Sequence, residues 1–179
     1  SRCDPYSHFE LLVSARSMNT MENYSDIFID SVEPLIPTNA VAALLVLEDG
    51  RYIMQLRDFK AHIFYPGYWG LFGGAVDGSE SDEEALRREL QEELAFVARS
   101  ITRFVSFDFD LSMIGAGNVY RAIYEVPVTH NELACFSLRE GLACEAFTTR
   151  TILTEIKVTP YDAFAVWIHH ARQRLCRRM

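Results

Sequence analysis

The sequence predicts an α+β domain whose element order fits an α/β/α sandwich about a central mixed β-sheet. Three observations point there. The continuous apolar run at residues 41–47 reads as a buried central strand. A single short helix opening at Ser81 carries acids at both ends, with strands before and after it. An amphipathic helix starting at Pro160 then closes the domain.

Residues 1–36 form an N-terminal extension, and residues 37–179 the domain proper, with Pro34 and Pro37 punctuating the entry. Within the extension, residues 9–13 read as a short strand or helix and 27–29 as a strand. It is expected to pack on the domain or against a second subunit, which makes a homodimer one expectation. Asp49-Gly50 signals a hairpin turn after the central strand, leading into residues 51–57. Residues 58–68 make a long loop rich in aromatics: Phe59, Phe64, Tyr65 and Tyr68. Such residues either stack on a base or sugar or pack onto the core. Residues 69–72 read as a strand.

After the acidic helix, residues 103–110 alternate, with Val105, Phe107 and Phe109 on one face. Residues 119–128 form the next strand, joined to it as a hairpin through 112–118. Asn131 begins a short turn, and 143–148 is a brief strand. The closing helix spans 160–172, with Phe164, Trp167, Ile168 and Ala171 on its apolar face and His169 and His170 at its surface.

A length of 179 residues suits one domain with a proper core. The net charge of −8 argues against duplex nucleic acid as a partner. No apolar run reaches membrane-span length, and the first residues lack a basic-then-apolar leader. Cys3, Cys135, Cys144 and Cys176 show no paired metal-ligand spacing, so they read as reduced thiols of a cytoplasmic protein.

The acidic helix breaks an electrostatic rule. Carboxylates stabilise the first turn of a helix, whereas the last turn favours cations. Ser81 and Glu84 form a capping box, and Asp82 and Glu83 suit the first turn. Glu89, Glu92 and Glu93 do not suit the end. At about 100° per residue, these three share an arc with the small Ala85, beside the apolar stripe Leu86, Leu90 and Leu94. Crowded carboxylates repel one another unless a cation intervenes. Oxygen-only ligands favour Mg²⁺ or Mn²⁺.

The spacing Gly74, Glu80, Arg88, Glu89, Leu90, Glu92, Glu93, Phe96 resembles the signature of the Nudix hydrolase family, G-x5-E-x7-R-E-U-x-E-E-x-G-U with U bulky and aliphatic. Ala95 stands where that signature has its last glycine, and Phe96 is aromatic. Phe72, rather than proline, precedes the glycine pair. The resemblance implies a Nudix-type α/β/α sandwich. It also implies divalent-metal-dependent hydrolysis of the pyrophosphate bond of a nucleoside diphosphate linked to another group, by water attack at phosphorus. Glu89, Glu92 and Glu93 would then hold the metal, with Glu80 assisting and the Gly74 carbonyl as a further ligand. Arg88 would orient the carboxylates, or form an ordinary helix ion pair with Glu84 or Glu92.

Beyond the motif, Leu138-Arg139-Glu140-Gly141 resembles a loop of triphosphate-cleaving Nudix enzymes in which the acid binds metal or acts as base. Glu140 is therefore a catalytic candidate and Glu145 the second, each against a plain exposed acid. Arg57 is a candidate for phosphate, against a surface ion pair. Tyr161 and Asp162 are candidates for the base, Asp162 also suiting a helix start. Markers of ADP-ribose, dinucleoside polyphosphate and coenzyme A substrates are missing. This favours a nucleoside triphosphate or a nucleotide sugar. The other reading is a catalytically silent Nudix domain that binds a nucleotide as a sensor or scaffold.

Overall fold

The computed structural model describes residues 34–175. The expectations for residues 9–13 and 27–29, and for Cys3 and Cys176, lie outside them. The chain divides into two compact units. The smaller includes the loop Asp58–Gly67, closed on itself where the Gly67 N–H donates to the Asp58 carbonyl at 3.3 Å. The larger holds the sheet and the helices.

Six strands form one mixed sheet: β1 (Ala40–Leu47), β2 (Tyr52–Leu56), β3 (Trp69–Gly70), β4 (Thr102–Asp110), β5 (Asn118–Val128) and β6 (Ala143–Phe147). Their order is β3-β2-β1-β5-β4, with β6 also paired to β2. β1 runs parallel to β5 from Ala40 beside Arg121 to Leu47 beside Val128, and the other strand pairings are antiparallel. β1 is central as its composition predicts, and Val41 to Leu45 have no exposure at all. Its side chains alternate between two layers. Val41, Ala43 and Leu45 enter the layer under helix α1 (Asp82–Leu94), with Leu86, Leu90 and Leu94. Each of those leucines is fully buried, a contribution of about 1.5–3 kcal/mol apiece. Ala42 and Leu44 enter the opposite layer, which contains residues of two later helices, α3 (Thr149–Thr154) and α4 (Pro160–Leu175). Helices on both faces of a mixed sheet make the expected sandwich.

Several elements differ from expectation. β3 has only two residues; of the rest of the expected strand Phe72 makes a single bridge to Ala43, and a further bridge beyond it joins Ala75 to Ala40. The turn at Asn131 is the helix α2 (His130–Ala134), started by a capping box between Thr129 and Glu132. Helix α3 was hidden by its β-branched threonines. Its Ile152 is buried, and Thr148 caps it.

The face of α4 is also corrected. Phe164 and Trp167 are 50% and 46% exposed, while Asp162, Ala165, Val166 and His169 are buried. The buried stripe includes two polar residues, so apolarity alone selects the wrong side. His169 is satisfied there by the Tyr52 hydroxyl on Nδ1 and the Glu125 carboxylate on Nε2, each at 2.8 Å. Among the described residues, no helix is long and apolar enough to cross a membrane.

Candidate active site

Helix α1 starts as the sequence predicts. The Ser81 hydroxyl accepts from the Glu84 N–H at 3.3 Å, and the Glu84 carboxylate accepts from the Ser81 N–H at 2.8 Å. Burying Leu86, Leu90 and Leu94 against the sheet fixes the helix rotation, and that rotation carries Glu89 and Glu93 inward. The helix ends at Ala95, which adopts the left-handed conformation (φ 54°, ψ 30°) that a glycine takes without strain. Its N–H still caps the Gln91 carbonyl at 3.1 Å, and the Phe96 N–H reaches the Leu90 carbonyl at 3.1 Å. The missing glycine therefore leaves the helix end in place.

The glycine pair lies along the first half of β1. Val41 donates its N–H to the Gly74 carbonyl at 2.9 Å, and Ala43 to that of Phe72 at 2.8 Å. Gly74 sits directly against Glu89. A Cβ at this position would lie 2.4 Å from Glu89 Oε1, so only glycine leaves that carboxylate its place.

Glu93 is 4% exposed. The Gly73 N–H donates to its Oε2 at 2.9 Å and the Gln55 amide to its Oε1 at 3.0 Å. Burial pushes its pKa up to about 8, against the lowering effect of those two donors, and the charges of Glu89 and Glu140 add to the rise. Glu89 is raised too, first by burial and then by Glu92 and Glu140, while Arg88 opposes the shift.

Arg88 gathers the remaining acids. Its Nη1 donates to Glu89 Oε1 at 2.7 Å and to Glu92 Oε2 at 3.2 Å. Its Nη2 and Nε grip both Glu80 oxygens, at 2.8 and 3.2 Å, and Nη2 also reaches the Ala75 carbonyl at 3.0 Å. These bonds hold the Glu80 carboxyl below its usual range. The helix partner of Arg88 is Glu92 and not Glu84, whose carboxylate serves the cap. The three late glutamates are not equivalent, since the Glu92 side chain is 60% exposed and that of Glu89 only 15%. Among the described residues, no three His, Cys, Asp or Glu side chains converge on one point as a ready cage. Arg88 is instead the common partner of Glu80, Glu89 and Glu92.

The loop after α2 brings in Glu140. The last carbonyls of α1 accept from it, Leu94 from the Ser137 N–H at 2.9 Å and Glu93 from the Arg139 N–H at 2.8 Å. Glu140 itself is exposed, yet close enough for its charge to raise both Glu89 and Glu93. Glu145 is placed elsewhere. Its neighbours Cys144 and Ala146 pack in the α1 layer, so strand alternation turns Glu145 to the other face.

Arg57, Tyr161 and Asp162 form a second group. A Cβ on Gly70 would meet Asp162 Oδ2 at 3.1 Å and Arg57 Cδ at 3.4 Å. Asp162 is 1% exposed and accepts from the Leu71 N–H at 3.0 Å, the Thr159 hydroxyl at 2.7 Å and Arg121 Nη2 at 3.0 Å. Arg121 also lies 4.7 Å over the Tyr161 ring. Asp162 thereby ties the start of α4 to the strand leading into the glycine pair. Sequence reasoning missed Gln55 and Arg121. Gln55 is the lone amide in the apolar run of β2, which was the available signal, whereas Arg121 shares β5 with Asn118 and Glu125 and had none.

A NUDIX domain profile matches residues 37–158. Nucleoside triphosphatase NudI of Escherichia coli (strain SE11) is 45% identical over 51 residues, 28% of this chain and 35% of NudI. The match thus spans about a third of that curated relative. The solution structure of the Escherichia coli ORF135 protein shares the fold with a TM-score of 0.62 at 22% identity, covering 81% of this chain and 96% of that one. The NUDIX domain of Shewanella oneidensis NrtR, solved in complex with ADP ribose, aligns with a TM-score of 0.56 at 20% identity over 83% of this chain and 96% of its own. Because the profile takes in most of the chain, from β1 through the acidic helix to the residues before α4, the chain belongs to the NUDIX domain family.

Proposed function

We propose that this chain is a divalent-metal-dependent pyrophosphohydrolase acting on a nucleoside diphosphate linked to another group, a nucleoside triphosphate or a nucleotide sugar being favoured. Glu93 is the observation that carries the reading. A carboxyl buried at the C-terminal end of a helix, beside two other acids and bonded by two neutral donors, works against folding. A divalent cation would offset that charge. The donor set fits one, because it consists of oxygens alone and Gly74 leaves room beside Glu89.

Glu89, Glu92 and Glu93 would hold the ion, with Glu80 and the Gly74 carbonyl assisting. When bound, Mg²⁺ or Mn²⁺ supplies charge neutralisation for the diphosphate and makes water more acidic. Arg88 positions Glu80, Glu89 and Glu92 by charge-assisted hydrogen bonds. Glu140 accepts a proton from the attacking water. The water oxygen bonds to phosphorus while the anhydride P–O bond breaks, and the leaving phosphate carries away the electron pair. Arg57 is assigned to a phosphate and Tyr161 to the base of the substrate, while Asp162, buried with its carboxylate taken by Leu71, Thr159 and Arg121, is withdrawn from substrate contact and holds the start of α4 beside Gly70. The free thiols Cys135 and Cys144 are in keeping with a cytoplasmic setting.

The test is a panel of nucleoside triphosphates, nucleotide sugars and ADP-ribose with Mg²⁺ or Mn²⁺, resolving products by chromatography. Glu93→Gln should remove nearly all turnover with the circular dichroism spectrum unchanged. Turnover without metal, or full activity in that variant, would overturn the proposal. Tight binding of one ligand without cleavage would favour a nucleotide-binding domain that is not an enzyme.

A further inference from the structure

We infer that Gln55 is a positioning residue, which sets the plane of the Glu93 carboxylate and joins it to the loop bearing Glu140. The inference rests on the metal-dependent reading above. Gln55 is 3% exposed in β2, and strand alternation puts it in the α1 layer with Ile53. Its Nε2 donates to Glu93 Oε1 at 3.0 Å and, more weakly, to the Leu71 carbonyl at 3.4 Å. The Gly73 N–H takes the other Glu93 oxygen. Two donors from separate segments thus fix both oxygens, and with them the direction of the remaining lone pairs.

The far end of the same amide meets the Glu140 loop. Gly141 has φ +82°, and a Cβ there would lie 2.9 Å from Gln55 Oε1 and 3.0 Å from the Leu56 carbonyl. The Leu142 N–H donates to that carbonyl at 2.8 Å, and the Arg139 N–H to the Glu93 carbonyl at 2.8 Å. The loop is therefore pinned on both sides of Glu140, to β2 and to α1, with the Gln55 amide packed between it and the carboxylate. A polar side chain within a buried strand is costly unless bonded. Here its strongest bond goes to the acid with the most perturbed carboxyl of the site. Groups that orient a metal-binding carboxylate commonly govern affinity by about 10- to 100-fold.

Gln55→Met keeps the volume and removes the donor. Gly141→Ala keeps the donor and crowds it, and so serves if the first variant fails to fold. Each is made alone and with Glu93→Gln in the full chain. Mn²⁺ binding is followed by the electron paramagnetic resonance of the free ion, with kcat and KM measured on a nucleotide the wild type cleaves. The expected result is Mn²⁺ affinity and kcat lowered about 10- to 100-fold, with KM for the nucleotide little changed. In the Glu93→Gln background the same changes should alter Mn²⁺ binding by less than about two-fold. Wild-type Mn²⁺ affinity in Gln55→Met, alongside its loss in Glu93→Gln, would overturn the role of Gln55 and leave the metal site standing. An equal loss in both backgrounds would also overturn it, showing general damage. A wild-type chain that neither binds Mn²⁺ nor cleaves any nucleotide would remove the reading beneath.

Discussion

Glutamine at position 93 should make the protein more stable in alkaline solution while ending its turnover. Burial raises the Glu93 carboxyl from the usual 4.5 to about 8. The folded state therefore holds a proton that the unfolded chain releases. Stability is full below about pH 4.5 and is lost as pH rises toward 8. Each ten-fold in proton affinity is worth about 1.4 kcal/mol, so the loss reaches on the order of 5 kcal/mol at pH 8 and above. Glutamine carries no such charge, but it offers one acceptor where the carboxylate offers two. The Gly73 N–H and the Gln55 amide cannot both be kept as they are, a cost of about 1–2 kcal/mol. The net gain is about 2–4 kcal/mol at pH 8, or roughly 5–15 °C in Tm for a chain of this size. At pH 5 the two proteins should agree within about 1–2 kcal/mol. Thermal melts of both proteins in EDTA from pH 5 to 9 check this. A difference in Tm that stays constant across that range would refute the assignment of the charge to Glu93. Adding millimolar Mn²⁺ at pH 8 should raise the wild-type Tm and narrow the gap.

Three further substitutions separate site from scaffold. Gly74→Ala puts a methyl group 2.4 Å from the Glu89 carboxylate, whose side chain can swing aside. Activity should fall at least about ten-fold while Tm changes by only a few degrees, read by nucleotide hydrolysis and melting. Ala95→Gly relieves a left-handed residue and should add about 1 kcal/mol in urea unfolding with turnover unchanged. His169→Leu removes the partner of Tyr52 and Glu125 and should cost about 1–3 kcal/mol with kcat/KM per folded molecule unchanged. Burial, more than any other influence, holds the His169 imidazole below its usual 6.5, so the wild type loses stability as pH falls beneath that value. The His169→Leu variant should lack this acid-side slope.

Legibility followed local chemistry. The capping box at Ser81 and the inward arc of Glu89 and Glu93 depend on residues within two turns of one another, so spacing alone was enough. The exposure of Glu92 is missed when the three glutamates are read as one face, although Glu92 lies about 160° round the helix from the buried Leu90. The buried side of α4 was misread for a related reason. His169 is tolerated inside because Tyr52 and Glu125, far away in the chain, bond its two ring nitrogens, with Arg172 also beside Nδ1. Asp162 repeats the case with Leu71, Thr159 and Arg121. Gln55 was passed over although it is a polar residue in an apolar strand, because its meaning lies in Glu93 and Gly141, each more than thirty positions away. Hydrophobic periodicity carries no information about such pairs.

The same separation explains how the fold tolerates its own site. Backbone bonds set the geometry: the Gly74 carbonyl to Val41, the Glu93 carbonyl to Arg139, and the Leu56 carbonyl to Leu142. None of them requires an acidic side chain. The buried carboxylates act against this frame, since desolvation and mutual repulsion raise Glu89 and Glu93 together. Arg88 relieves Glu89 directly but donates to neither Glu93 oxygen, which take Gln55 and Gly73 instead. The cost of ionisation is thus concentrated on one residue, the most buried acid of the site. A scaffold selected for stability alone would place an apolar side chain there. On the proposed reading, an acid retained at that point draws in the cation, whose arrival offsets the cost of ionising Glu93.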